Sequence, residues 1–236
     1  MKQGCIYLVP SFLAETNDIN LFPPAILSII YELDYFVVEN LRTTRRFLKK
    51  IGYKKPFDQV TFYELNKKAG ADRVQDFLKA PKQGKNLGII SEAGSPCIAD
   101  PGSAIVSLAH ELNIRVVPLP GLSSILLALM GSGFNGQSFT FHGYLPIDKK
   151  TRDHKLREIE KAVYTMDQTQ IFMETPYRNM PLFESVLTNC QGKSKLCIAA
   201  MITDTKEEFI KTRSIQDWKR NKPDLHKKPA IFLLFK

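Results

Sequence analysis

The feature that most constrains this chain is residues 91–102, SEAGSPCIADPG, a cramped glycine-bearing turn between the apolar run Leu87–Ile90 and an amphipathic helical pattern. Asp is a favoured N-cap and Pro fits a first helical turn, so Asp100, Pro101 and Gly102 open a helix with Ala104, Ile105, Leu108, Ala109 and Leu112 on its apolar face. Strand, tight loop and helix N-terminus in that order form the repeating unit of open α/β sheets. Ligands sit in such loops, at the carboxyl ends of the strands. A second turn of this kind follows: Val116 and Val117 close a short apolar strand, and PLPGLSS leads into an apolar segment over 125–130. Gly121 lets backbone approach a ligand closely, and the amides of Ser123 and Ser124 at a helix start suit a carboxylate or another anion. Two such loops in about thirty residues point to one shared site. The alternative is purely structural, since Pro-Gly turns also lead into buried helices without binding anything.

Strand patterns fall at 6–9, 36–39, 87–91, 115–118, 138–142, 170–173, 195–200, 207–211 and 230–235. Helical periodicity covers 24–33, 42–51, 71–78, 101–112, 124–130, 152–163, 179–190 and 215–218. The first half alternates strand and helix, which calls for a parallel sheet; the second places strands consecutively, which calls for a mixed or antiparallel one. The expected fold is therefore α/β in two domains, 1–118 and 119–236, with a ligand cleft between them.

A length of 236 residues suffices for two modest cores. No apolar run approaches the ~18 to 20 residues that span a bilayer. The N-terminus also lacks the charged, apolar and small-residue succession of a secretory signal, so the expected location is cytoplasmic, with no membrane partner. Cys5, Cys97, Cys190 and Cys197 form no C-x-x-C pair and the four histidines are scattered, so no metal site is expected. Charge is more informative: 33 Lys+Arg against 24 Asp+Glu give +9, concentrated in two clusters. One is Arg42, Arg45, Arg46, Lys49, Lys50, Lys54 and Lys55; the other is Lys149, Lys150, Arg152, Lys155 and Arg157. These suit the phosphates of RNA, or equally a solvated basic face.

The segments YLVPSFLAET, ENLR, EAGSPCIADPG, VVPLPGLSS, FTFHGYLP and METPYR follow one another over most of the chain. In that order they resemble the tetrapyrrole methylase superfamily, and most of all its bacterial branch that methylates a ribose 2′-oxygen in small-subunit ribosomal RNA. The resemblance implies two α/β domains, S-adenosylmethionine as cofactor, a homodimer, and the small ribosomal subunit as partner. Carried over by position, it places Pro10, Phe12, Gly94, Ser95, Ile98, Gly121, Ser123, Ser124 and Met173 at the methyl donor, with Pro229 and Ala230 near its adenine. The basic residues Arg42, Arg45, Arg46, Lys149, Lys150, Arg152 and Arg178 become substrate contacts. A sulfonium already carries an activated methyl group, so the protein need only align donor and acceptor and exclude water, without metal.

Departures from the family pattern are informative. The glycine-bearing first loop has become Ser11-Phe12-Leu13-Ala14-Glu15, which is expected to cost one or two hydrogen bonds at ~1 kcal/mol each, or roughly five- to thirty-fold in donor affinity. Glu92, Asn40-Leu41, His142, Thr175-Pro176-Tyr177 and the segment 200–204 also differ from the pattern. A ribose hydroxyl is a weak acid and gains from a positioned base. The candidates are Glu92, His142 and Glu174, whose alternative roles are bracing a turn, filling the core and pairing with Arg178. Two other readings stay open at this level: a non-catalytic relative that binds RNA or ribosomes, and a methylase of a tetrapyrrole-type small molecule.

Overall fold

Residues 3–16, 18–65 and 75–236 are described by the computed structural model. The chain divides into two units, Met1–Ser123 and Ser124–Lys236, a division placed later than the 118/119 boundary expected from sequence.

Unit 1 holds a parallel sheet of β1 (Ile6–Val9), β2 (Tyr35–Val38), β3 (Thr61–Glu64), β4 (Leu87–Ile90) and β5 (Val116–Pro118), in the order β3-β2-β4-β1-β5. Its inner strands are short apolar runs, and β4 is buried at every residue, as a sheet covered on both faces requires. Phe36 and Val38 enter one core cluster with Leu27, Phe47 and Leu48, whereas Val37 enters another with Ile6, Leu87, Ile105 and Ala109. That alternation is the period of two of a pleated strand. The covering helices are α1 (Pro24–Glu32), α2 (Leu41–Lys50), α3 (Lys79–Lys82) and α4 (Ser103–Glu111). α2 starts where it does because the Asn40 side chain accepts from Arg42 N and Thr43 N.

Unit 2 begins with α5 (Ser124–Ser132) and continues β6 (Phe139–Tyr144), α6 (Lys149–Met166), β7 (Thr169–Met173), α7 (Asn179–Asn189), β8 (Lys195–Ala200), β9 (Phe209–Ser214), α8 (Ile215–Arg220) and β10 (Ala230–Phe235). Its sheet runs β6-β7-β10-β8-β9; β6 and β7 are parallel and the remaining pairs antiparallel. The last strand in sequence, AIFLLF, is central in space, which explains why it is almost wholly apolar. Leu156, Ile159, Phe172, Phe183, Trp218 and Phe232 form the core around it, and the Trp218 indole N–H is satisfied by Leu196 O at 2.8 Å. The fold class expected from sequence, a parallel sheet followed by a mixed one, is the fold observed.

Several boundaries differ from expectation. α4 starts at Ser103 rather than at 101, because the Asp100 carboxylate folds back onto Cys97 N at 2.6 Å and Gly102 N at 2.7 Å instead of capping a helix at Pro101. α6 extends beyond 152–163 at both ends, and Asp148 caps it by accepting from Thr151 N. β3 was not anticipated: TFYE is a half-exposed edge strand with no buried face to leave a pattern. Of the helix expected over 71–78, residues 71–74 lie outside the described residues.

Candidate functional site

The carboxyl ends of β4, β1 and β5 are neighbours in the sheet, and the loops that leave them are laced together. Ser11 N donates to Gly94 O at 2.9 Å and its hydroxyl to Ser91 O at 3.2 Å, joining the β1 loop to the β4 loop. The Ser95 hydroxyl donates to Leu122 O at 3.0 Å, joining the β4 loop to the β5 loop. Gly94 has φ +71°, and a Cβ there would stand 2.9 Å from Leu13 Cδ2 and 3.2 Å from Leu122 O. A Cβ on Gly121 would stand 2.2 Å from Pro10 Cγ. Both positions therefore demand glycine, one for conformation and close contact, the other for contact alone. Around the joints Ala93, Ala99 and Gly121 are exposed, and Ile98 is 49% exposed. Cys97 and Ala99, on either side of Ile98, take left-handed backbone at φ 67° and 61°, which costs roughly 1–2 kcal/mol per residue. Asp100 holds this conformation through its two amide bonds. Burial, with Asp100 beside it, pushes the Cys97 thiol up to about 12, so it is not a nucleophile at neutral pH.

No residue of the glycine-free first loop, from Pro10 to Thr16, has positive φ, as the missing glycine implies, and the loop spends its Ser11 hydrogen bonds inside the platform. Phe12 turns its ring into an edge-on cluster with Phe22 and Phe47, both at 5.3 Å between centroids, under the Lys50 ammonium at 5.0 Å. The side chain placed by sequence at the donor is thus a core contact.

The rim left by the three loops consists of main chain, the Ser95 hydroxyl and the Ile98 side chain, which offers a small ligand polar backbone groups beside an apolar contact.

Other expected site residues lie in unit 2. Met173 ends β7 and pairs with Ile231, while Ala230 opens β10 beside Ala200, and Pro229 O accepts from Met201 N at 2.9 Å. The structure brings Met173, Pro229 and Ala230 to one end of this sheet. Glu174 follows Met173 with its side chain 3% exposed; it binds Arg178 Nε at 2.8 Å and Nη2 at 2.9 Å and also accepts from Thr175 N. Burial raises the Glu174 carboxyl, but these bonds outweigh it and hold the group below its ordinary value. His142 lies within the irregularity of the β6–β7 pairing between Phe141 and Tyr144, its Nε2 at 2.7 Å from Gln170 Oε1. Burial lowers its pKa, against the Gln170 bond, so the ring is neutral at neutral pH. Glu92 is exposed at the end of β4; its Oε1 accepts from Thr43 Oγ1 at 2.7 Å, and its amide donates to Glu39 Oε2 at 3.0 Å. Thr43 is the position that sequence reasoning missed as part of this region, and its only signal was its place next to the ENLR segment; Glu39, within that segment, and Asp100, within the turn, were named without these bonds being read.

The two basic clusters are not equivalent. On α2, Arg42, Arg45 and Arg46 are exposed; Arg45 covers Phe57 and Phe62 at 5.7 and 5.4 Å, and Arg46 meets Glu15 at 3.5 Å. On α6, Lys149 and Lys150 are exposed, but Arg152 is buried, donating to Ser185 Oγ at 3.1 Å and Ile147 O at 2.9 Å. The expectation that Arg152 contacts substrate is corrected: its guanidinium is spent on tying α6 to α7 and to its own entry. Among the described residues no group of three or more His, Cys, Asp or Glu is placed to hold a metal ion, and no helix is long and apolar enough to cross a membrane.

A parallel sheet with interlaced loops at its carboxyl ends, followed in the chain by a mixed sheet, defines an α/β protein built to hold a small ligand at its strand ends. Residues 18–214 match the family of Tetrapyrrole (Corrin/Porphyrin) Methylases. The chain belongs to this family and is a methyltransferase. It is 29% identical to the ribosomal RNA small subunit methyltransferase I of Haemophilus influenzae, over 98% of this chain and 78% of that one. With the protein of the same name from Streptococcus pyogenes it shares 32% identity, over 87% of this chain and 67% of the relative. The uroporphyrin-III C-methyl transferase of Thermus thermophilus, solved in complex with S-adenyl homocysteine, has the same fold: TM-score 0.61 at 14% identity, over 99% of this chain and 98% of that one.

Proposed function

We propose that this chain transfers the methyl group of S-adenosylmethionine to a ribose 2′-oxygen in small-subunit ribosomal RNA. The observation that carries this reading is the laced platform formed by the loops after β1, β4 and β5, in a chain about 30% identical over most of its length to ribosomal RNA methyltransferases. Bound S-adenosylmethionine supplies an activated methyl on a sulfonium. Gly94, Ser95, Ile98, Gly121, Ser123 and Ser124 hold the donor, and Pro10 positions Gly121. Met173, Pro229 and Ala230 of the second unit line the adenine.

Glu92 takes the proton from the acceptor hydroxyl. Of the three candidates it is the exposed carboxylate beside the platform, with Thr43 Oγ1 donating to its Oε1, whereas Glu174 is committed to Arg178 and Thr175, and His142 faces Gln170. Arg42, Arg45, Arg46, Lys149 and Lys150 face the RNA phosphates, which need charge without fixed sequence. The protein works in the cytoplasm as a homodimer, a reading supported by Leu126 and Met130, exposed to 52% and 78% and one helical turn apart on α5.

Small ribosomal subunits from cells lacking this protein, incubated with it and radiolabelled S-adenosylmethionine, are expected to gain label in their RNA at an alkali-resistant dinucleotide, the signature of a 2′-O-methyl group. Glu92→Gln is expected to lower kcat while leaving donor affinity intact. Label in protein, or in none of the fractions, would contradict the assignment.

A further inference from the structure

The loop after β7 and the segment before β10 emerge side by side from the second sheet, since Met173 pairs with Ile231. They are sewn together. Lys227 N donates to Pro176 O at 3.1 Å, and the fully buried Asn179 donates through Nδ2 to Lys228 O at 2.6 Å. A bond from Arg178 N to Thr175 O at 2.8 Å closes a turn that carries Tyr177 near its tip. Tyr177 is 70% exposed, and its ring meets the exposed His226 ring edge-on, with centroids 6.5 Å apart.

A single exposed aromatic on a loop is ordinary. This one is held out of the core by a closed turn and by a second ring on a second tethered segment. Two of the charges around it are paired, Glu174 with Arg178 and Lys228 with Glu207 at 3.2 Å, while the Asp224 carboxylate accepts from His226 N at 2.9 Å and keeps its charge. The exposed Lys227, in left-handed backbone at φ 58°, adds a cation next to the rings. An exposed, preorganised ring pair with an adjoining cation is the chemistry that receives an unpaired base and its phosphate.

We infer that Tyr177, backed by His226, stacks an unpaired base of the RNA substrate, with Lys227 on a neighbouring phosphate. The inference rests on the RNA reading given above. Its place in the chain gives it a role: Tyr177 lies on the loop leaving Met173, and Lys227 lies on the segment entering Pro229 and Ala230. A base held there has its ribose beside the strand ends assigned to the donor. This is a substrate-positioning surface and takes no part in the proton transfer.

The test uses the full chain and a single-stranded oligoadenylate carrying one 2-aminopurine, with S-adenosylhomocysteine affinity measured in parallel as a check on folding and on the donor site. Wild type is expected to bind the RNA and quench the 2-aminopurine. Tyr177→Ala is expected to bind about tenfold more weakly and to lose the quenching, the size of one lost base stack. Tyr177→Trp is expected to keep both, and Lys227→Ala to reduce the salt slope by about one. RNA binding and quenching by Tyr177→Ala equal to wild type, with donor affinity unchanged, would overturn the stacking proposal alone. Wild type that binds S-adenosylhomocysteine but no RNA would overturn it together with the RNA reading.

Discussion

The loop after β4 and the loop after β7 have the same topological task, taking the chain from a strand with a parallel neighbour into a helix, yet they are held differently. The β4 loop is fixed by the main-chain and hydroxyl bonds of Ser11 and Ser95, by the Asp100 carboxylate accepting from two amides, and by glycines where a Cβ has no room. The β7 loop adds to its main-chain bonds an ion pair, a buried carboxylate gripped by Arg178. A loop built largely from backbone offers backbone to a small ligand. One built on an ion pair can carry a large side chain such as Tyr177 at its tip, and its stability depends on protonation.

The comparison breaks most readily at Gly121. Gly121→Ala puts a methyl group into the Pro10 ring, which cannot swing aside as a flexible side chain does. The expected cost is about 1–3 kcal/mol of unfolding free energy in urea, as for other overpacked sites, with loss of donor affinity beyond it. Gly143→Ala, at φ +66° with nothing within 4 Å of the added Cβ, is expected to show only the conformational cost. Equal losses at the two positions would mean that the contact between the β1 and β5 loops is not tight.

A smaller effect sharpens the other side of the comparison. Glu174 and His142 both have folded-state pKa values below their ordinary ones, so the unfolded chain binds more protons and stability falls with falling pH. The His142 contribution is complete above its ordinary value of 6.5 and is lost as pH falls through the folded value. The Glu174 contribution is complete above 4.5 and is lost in the same way at lower pH. Urea midpoints followed from neutral pH downward are expected to fall in two stages, His142→Gln removing the upper and Glu174→Gln reducing the lower, to which Asp148 and Asp153, also held below their ordinary values by hydrogen bonds, contribute as well. A Glu174→Gln profile parallel to wild type would show that the β7 loop does not depend on its ion pair.

The same contrast explains what could be read from sequence. The β4 and β5 loops were legible because glycine, proline and aspartate between apolar runs leave few backbone choices, and the alternation of strands and helices set the parallel sheet. The reach of Asp100 back to Cys97 was not, since a carboxylate before Pro-Gly can cap a helix or clamp a loop with the same residues. Arg152 stood in a basic run, but it also lies on the helical face of Leu156, Ile159 and Val163, and that spacing carried the signal of its burial. The pairing of Tyr177 with His226 joins segments distant in sequence, and no local pattern announces it.

The most direct measurement is calorimetric titration of the protein with S-adenosylhomocysteine, alongside a Ser95→Arg variant that places a long charged side chain at the junction of the β4 and β5 loops. Binding by the wild type, abolished in a variant that still unfolds cooperatively, is the expected result and puts the donor on the platform. Absence of binding by the wild type, or undiminished binding by Ser95→Arg, would contradict it.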